Sequence, residues 1–299
     1  MSGAVLEVRD LGVRYGRHTV MEGVSLAVEP GEVYALLGRN GEGKTSLIRC
    51  LLGWQAPSEG EARLFGEDAW SSRREAMQRI GMVEENPSLP PAWTVGEVLT
   101  FCGKLHRRWD SVKVAALIDQ ARVSVRQEVQ SLSRGQKAQV ALAMALGSGP
   151  DVLVLDDPTL GLDAVARRAL YDALITTMAD APLTVLITGH DLAGLEAVTD
   201  RVGILAGGRL QVDEPLEALK GRLRRIRWSR PTAGNPDLGG LEVLRRSEGP
   251  MGGEALVGRF DEAVFASLEQ AWGGGLQVES LSLEEAFIEW TAAEGEVRA

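Results

Sequence analysis

Apolar positions along the chain recur with two different periods, and the period changes where turn residues cluster. Near the N-terminus, AVLEVRDLGVRYG and VMEGVSLAVEPGEVYALLG alternate short apolar runs with glycine and proline, which predicts strands. After Leu37 the chain turns glycine-rich, and a helix is predicted from Lys44 towards Leu52. GEARLFGEDAW predicts another short strand and turn. From about Asn86 to Gln136 the period is helical. Val95, Val98, Leu99 and Cys102 share one face, Thr94 with Glu97 forms a capping-box pattern before them, and DSVKVAALIDQARV is a second amphipathic segment.

Alternation then returns. GQKAQVALAMALG, AVARRALYDALITTM and DLAGLEAVTD predict helices, separated by the strand candidates DVLVLD, LTVLIT and RVGILAG. Helix and strand in turn imply a mostly parallel sheet covered by helices, with the block at about 86–136 as a helical insertion. Near Leu219 the composition shifts. KGRLRRIRWSRPTAGNP is basic and broken by Pro231, Gly234 and Pro236. Beyond it lie the alternating segments LEVLRR, EALVGRF and LQVESL and two helix candidates. The last has Ser282 and Glu285 as a capping box and Leu283, Ala286, Phe287 and Trp290 on one face. The expected organisation is a large α/β domain over 1–218 and a small α+β accessory domain over 219–299.

Composition narrows the function. The chain has 299 residues, 44% hydrophobic and 25% charged, which describes a globular protein. A net charge of −10 argues against sequence-blind nucleic-acid binding, which needs a basic face. Cys50 and Cys102 lie far apart without metal-ligand spacing, so both read as core residues of a reducing compartment. No apolar run approaches the roughly 18 residues needed to span a bilayer. MSGAVLEVRD lacks the cationic-then-apolar order of a signal peptide. Any action at a membrane is therefore expected through a partner.

Three stretches carry chemistry. GRNGEGKTS (Gly38, Arg39, Asn40, Gly41, Glu42, Gly43, Lys44, Thr45, Ser46) follows the apolar run VYALL and fits G-x-x-x-x-G-K-[ST]. Glycines let backbone N–H groups wrap a triphosphate, and the following helix adds its positive end. Lys44 would neutralise the β- and γ-phosphates, and Thr45 would offer a hydroxyl to Mg²⁺. In VLVLDD, a strand ends in Asp156, where a phosphate-loop protein holds Mg²⁺. SLSRGQ starts a helix with a hydroxyl and a glycine, a second site able to receive an anion; TGHD follows at Thr188 to Asp191.

With these four motifs in this order, the chain resembles the ATP-binding cassette of ABC transporters from about Val5 to Pro215. That resemblance implies a P-loop NTPase fold binding ATP and Mg²⁺. It also implies that Tyr15 stacks on the adenine and that Glu85 stands at the Q-loop position, touching the metal and coupling to a membrane subunit. Ser133, Arg134, Gly135 and Gln136 would form the signature, with Ser133 and Gly135 on the γ-phosphate of ATP held by a second cassette. Asp163 would lie in the D-loop, and His190 would be the switch histidine. The tail VESLSLEEAFIEWTA is similar to the C-terminal extensions of bacterial multidrug or antibiotic-type exporter subunits, whose permease is a separate chain. The implied location is the cytoplasmic face of the membrane.

Three positions depart from the commonest family pattern: Arg134 within LSRGQ, Glu85 in place of glutamine, and Asp157 where a water-polarising glutamate is usual. An aspartate withdraws the carboxylate by roughly 1.5 Å, and misplacements of about 1 Å can lower a rate about 10²-fold. A slowed but not abolished ATPase is the expectation. Two other classes stand beside the exporter ATPase. One is a regulatory cassette ATPase with no membrane partner, whose relatives usually join two cassettes in one chain or insert a coiled coil. The other is a non-hydrolysing nucleotide sensor, favoured only by Asp157.

Overall fold

The computed structural model describes residues 3–229, 236–249 and 251–289. Pro231, Gly234 and Trp290, singled out in the sequence, lie outside the described residues. The chain divides into two compact units, at Asp213 and Glu214, a few residues before the composition shift near Leu219.

The first unit holds two sheets. Strands β1 (Leu6–Tyr15), β2 (His18–Val28), β4 (Glu59–Leu64) and β5 (Glu67–Asp68) form an antiparallel sheet in the order β2-β1-β4-β5. The second sheet has β3 (Val33–Gly38), β6 (Ile80–Val83), β7 (Val152–Asp156), β8 (Thr184–Thr188), β9 (Arg201–Ala206) and β10 (Arg209–Pro215), in the order β10-β9-β3-β8-β7-β6. From β9 to β6 the pairing is parallel. Every residue of β3 and β8 is buried. That is why these segments read as unbroken apolar runs: a parallel sheet is covered on both faces. Helix α1 (Lys44–Leu51) buries Leu47, Ile48, Cys50 and Leu51 in one core with Leu6 and Val8 of β1 and Leu36 of β3.

The insertion contains α3 (Val95–Leu105) and α4 (Ser111–Gln120) and packs on α5 (Arg134–Gly147). Its small core joins Val95, Val114 and Ile118 to Leu132, Val140 and Ala143. The α5 helix therefore serves the insertion well beyond Gln136, and Thr94 and Glu97 make the capping box their spacing predicts. Helices α6 (Ala164–Asp180) and α7 (Leu192–Glu196) complete the unit.

Three elements depart from the sequence reading. The short strand expected in GEARLFGEDAW is β4, but the last two residues of that stretch open an unexpected helix, α2 (Ala69–Ala76); Asp68 caps it by accepting from the Ser71 backbone N–H. The strand β6 follows it with no expectation at all, because four residues are too few to show a period. The α7 helix is also shorter than the ten-residue stretch DLAGLEAVTD.

In the second unit, α8 (Leu216–Arg222) leads into β11 (Arg224–Ser229), β12 (Val243–Gly249), β13 (Gly252–Val257), α9 (Glu262–Trp272) and β14 (Leu276–Ser280). The sheet order is β12-β13-β11-β14, all antiparallel. Residues 224–229 of the basic stretch are thus an interior strand. One face of the sheet is apolar, with Ile226, Trp228, Ala255 and Val257 under Val264, Phe265 and Leu268 of α9. The arginines of β11 meet acids: Arg225 Nη1 donates to Glu285 Oε1 at 2.7 Å and Arg227 Nη1 to Glu279 Oε1 at 2.7 Å. Ser282 caps the helical residues 283–289 as expected, accepting from the Glu285 N–H at 3.2 Å.

Candidate functional site

The chemistry-bearing residues gather because four neighbouring parallel strands all end on one side. In spatial order, β3 runs into the glycine loop, β8 into Gly189 and His190, β7 into Asp156 and Asp157, and β6 into Glu84 and Glu85. Open α/β sheets bind ligands at the carboxyl ends of their strands, and here the loops after them line a cavity of about 450 Å³.

The loop from Arg39 to Gly43 folds around its own lysine. Lys44 is buried, and its ammonium donates to the carbonyls of Gly38 at 2.6 Å and Arg39 at 3.2 Å. Burial pushes the Lys44 pKa down, while the charges of Asp157, Asp156 and Glu42 work the other way. Gly43 is the N-cap of α1 at φ 100°, and a Cβ there would come within 2.6 Å of Met21 Cε. Only glycine meets both the backbone angle and the close approach. Asn40, Gly41, Gly43, Thr45 and Ser46 all line the cavity with Lys44. The Glu42 carboxylate does not face it, because Oε2 accepts from the Gly208 N–H at 3.1 Å.

The two aspartates at the end of β7 are placed differently. Asp156 has a hydroxyl on each oxygen: Thr45 Oγ1 donates to Oδ2 and Thr188 Oγ1 to Oδ1, both at 2.9 Å. Asp157 sits at φ 50°, an uncommon angle for a residue with a Cβ, held by its N–H donating to Thr188 Oγ1 at 3.0 Å. Its carboxylate is buried. Oδ2 lies 3.0 Å from His190 Nε2, and Oδ1 has no hydrogen-bond partner among the described residues. Burial raises the Asp157 pKa, partly offset by His190 and Lys44. Thr188 was missed as a functional residue, although TGHD contains it; its role follows only from the pairing of β7 with β8.

A metal can be tested against these donors. Thr45 and Asp156 present hard oxygen ligands side by side, with Asp157 lining the same cavity, and this suits Mg²⁺. No cluster of three or more His, Cys, Asp or Glu able to hold a metal occurs among the described residues. Mg²⁺ takes one or two carboxylates and completes its shell from phosphates and water. Glu85 lines the cavity and is exposed.

The remaining predicted residues lie elsewhere. Tyr15, at the end of β1, is half-exposed; its hydroxyl donates to Gln55 Oε1 at 2.7 Å and lies 3.1 Å from Ser46 Oγ. The ring therefore stands beside α1, while Val20, missed in the sequence, lines the cavity itself. Ser133, Arg134, Gly135, Gln136 and Asp163 line a second cavity of about 590 Å³, which shares no residue with the first. Ser133 and Gln136 form a capping box at the start of α5, and Asp163 caps α6 by accepting from the Ala166 N–H at 2.8 Å.

A glycine loop between a buried strand and a helix, with a lysine inside it and a hydroxyl on a strand-end aspartate, defines a P-loop nucleotide-binding protein. The sequence model of the family described as ABC transporter matches residues 21–160. Nod factor export ATP-binding protein I of Burkholderia orbicola (strain AU 1054) is 38% identical over 214 residues, 70% of each chain. Bacitracin transport ATP-binding protein BcrA of Bacillus licheniformis is 31% identical over 224 residues, covering 74% of this chain and 73% of that one. A solved ATP binding subunit of an ABC transporter superposes with a TM-score of 0.66 at 26% identity, covering 73% of this chain and 92% of that one. The chain belongs to the ABC transporter family, as an ATP-binding subunit. Among the described residues, no helix is long and apolar enough to cross a membrane.

Proposed function

We propose that this chain is the ATP-hydrolysing subunit of an exporter and drives a separate membrane permease as one of a head-to-tail pair of cassettes. The observation that carries the pairing is the split of the site. The phosphate loop and the signature line two cavities with no residue in common, which supports a pairing in which each chain supplies half of two sites. The names of the two relatives, one for Nod factor export and one for bacitracin transport, support the transport role.

In this reading the N–H groups of the loop and Lys44 take the β- and γ-phosphates, and the Tyr15 ring takes the adenine. Thr45 and Asp156, with Glu85 nearby, hold Mg²⁺, which when bound neutralises charge on the two terminal phosphates. The Asp157 carboxylate takes the proton of the attacking water, and His190 contacts the γ-phosphate and steadies Oδ2. Ser133, Arg134, Gly135 and Gln136, together with Asp163, face the ATP of the other cassette. Closure on the γ-phosphate and reopening after hydrolysis supply the stroke.

The permease docks beside Glu85, where residues 86–93 run without helix or strand and Trp93 packs edge-on against Phe101 at 5.5 Å. Both rings are exposed by more than a third, an apolar spot suited to a short helix of a membrane protein. In this reading the chain works on the cytoplasmic face of the membrane, and the second unit is an accessory domain.

Affinity capture of the tagged chain from detergent-solubilised membranes tests the reading. It is expected to bring down a polytopic membrane protein, and Trp93→Ala with Phe101→Ala is expected to release it. Cosedimentation with ribosomes or DNA and no membrane protein would instead support the regulatory ATPase.

A further inference from the structure

Two of the family departures, an arginine in the signature and a glutamate at the Q-loop position, meet in the fold. Arg134 Nη2 donates to Asn86 Oδ1 at 3.1 Å and lies 3.8 Å from Glu85 Oε1. Asn86 Nδ2 in turn donates to Glu85 Oε1 at 3.0 Å. On its other side the guanidinium is seated over Gly161, where an added Cβ would overlap Arg134 Nη1 and where φ is 71°. A side chain at position 161 would push the arginine off the glutamate.

These contacts join the two cavities. Glu85 lines the one built by the phosphate loop, and Arg134 lines the one built by the signature. We propose that the Arg134–Glu85–Asn86 contact is a charge link through which nucleotide on a chain's own phosphate loop alters the signature surface that the chain offers to a second cassette. This rests on the nucleotide reading given above and adds the residues that connect the two half-sites.

The physical content is a competition for Glu85. With Arg134 in place, the carboxylate at the mouth of the phosphate cavity is neutralised. Without the arginine, a bare negative charge faces an incoming triphosphate and repels it. Coupling is reciprocal: if Arg134 changes ATP affinity through Glu85, ATP changes the free energy of Arg134 in its present position by the same factor. Both side chains are nearly half exposed, so the link is of surface ion-pair strength, up to about fivefold in an equilibrium constant, and is screened by salt.

The test is equilibrium binding of a fluorescent ATP analogue to the full chain, dilute enough to stay monomeric and with Mg²⁺ chelated. Arg134→Gln is expected to weaken binding by about two- to fivefold, and Arg134→Lys, which keeps the charge, by less. In a Glu85→Gln background, Arg134→Gln is expected to change nothing, and raised salt is expected to shrink the wild-type difference. An equal loss in both backgrounds, or no loss in either, overturns the link. A wild-type chain that binds no analogue would overturn the nucleotide reading itself, which separates the two failures. Circular dichroism with the lysine variant as reference checks that each variant is folded.

Discussion

Asp157 is held at φ 50° by Thr188, so its backbone is not free to move towards the cavity to make up for a short side chain. Its Oδ2 atom lies 3.0 Å from His190 Nε2, and in the proposed reading this carboxylate is the base for water. Asp157→Glu, adding roughly 1.5 Å of reach, is expected to raise the steady-state ATPase rate about tenfold or more. An unchanged rate would remove the reach argument. Asp157→Asn is expected to lower the rate by about 10²–10⁴-fold while leaving ATP binding in place. Burial raises the Asp157 pKa, and the base must be ionised to work. The acid limb of the pH–rate profile should therefore lie above the ordinary aspartate value of about 3.9. A limb at or below that value would contradict this assignment.

At the scale of elements, sequence pattern carried the segments that have an unbroken apolar run or a flanking motif and lost those with neither. The phosphate loop, β3, β7 and β8 announced themselves because a covered parallel strand is apolar throughout and ends at a motif. The capping boxes before α3 and before the helical residues 283–289 stand where residue spacing put them. The α2 helix stayed hidden because WSSRREA has no apolar stripe; only Ala69 and Ala76 of that helix are buried. Asp68→Ala, removing the cap of α2, is expected to lower stability by about 1 kcal/mol in a denaturant titration, with ATPase activity unchanged. β11 was obscured by its arginines, whose acid partners lie some 27 to 60 residues along the chain. Among them Glu285 has a pKa lowered to about 2, first by the Ser282 N–H and then by Arg225. A depressed carboxylate stabilises fully above its unfolded value, about 4.3, and loses that contribution as pH falls towards the folded one. The second unit should therefore lose stability between roughly pH 4 and pH 2, and Glu285→Gln should flatten that dependence in acid-melting curves.

At the scale of the whole molecule, the proposed function has one chain offer two unlike half-sites. The motif order already named the phosphate loop, strand-end aspartate, signature and switch histidine. Where each side chain points was not legible in it: Glu42 turned to Gly208, Tyr15 tied to Ser46, and Arg134 reaching Asn86 are products of tertiary pairing. The separation of the two cavities is likewise a property of the folded unit. If each ATP needs the phosphate loop of one chain and the signature of another, hydrolysis cannot be a property of a single chain. The decisive measurement is phosphate release per chain, with Mg²⁺ and saturating ATP, across a wide range of protein concentration. The account predicts a rate per chain that rises with concentration to a plateau and vanishes with Lys44→Ala. A rate per chain that is constant down to the lowest concentration, where the chain is monomeric, would contradict it.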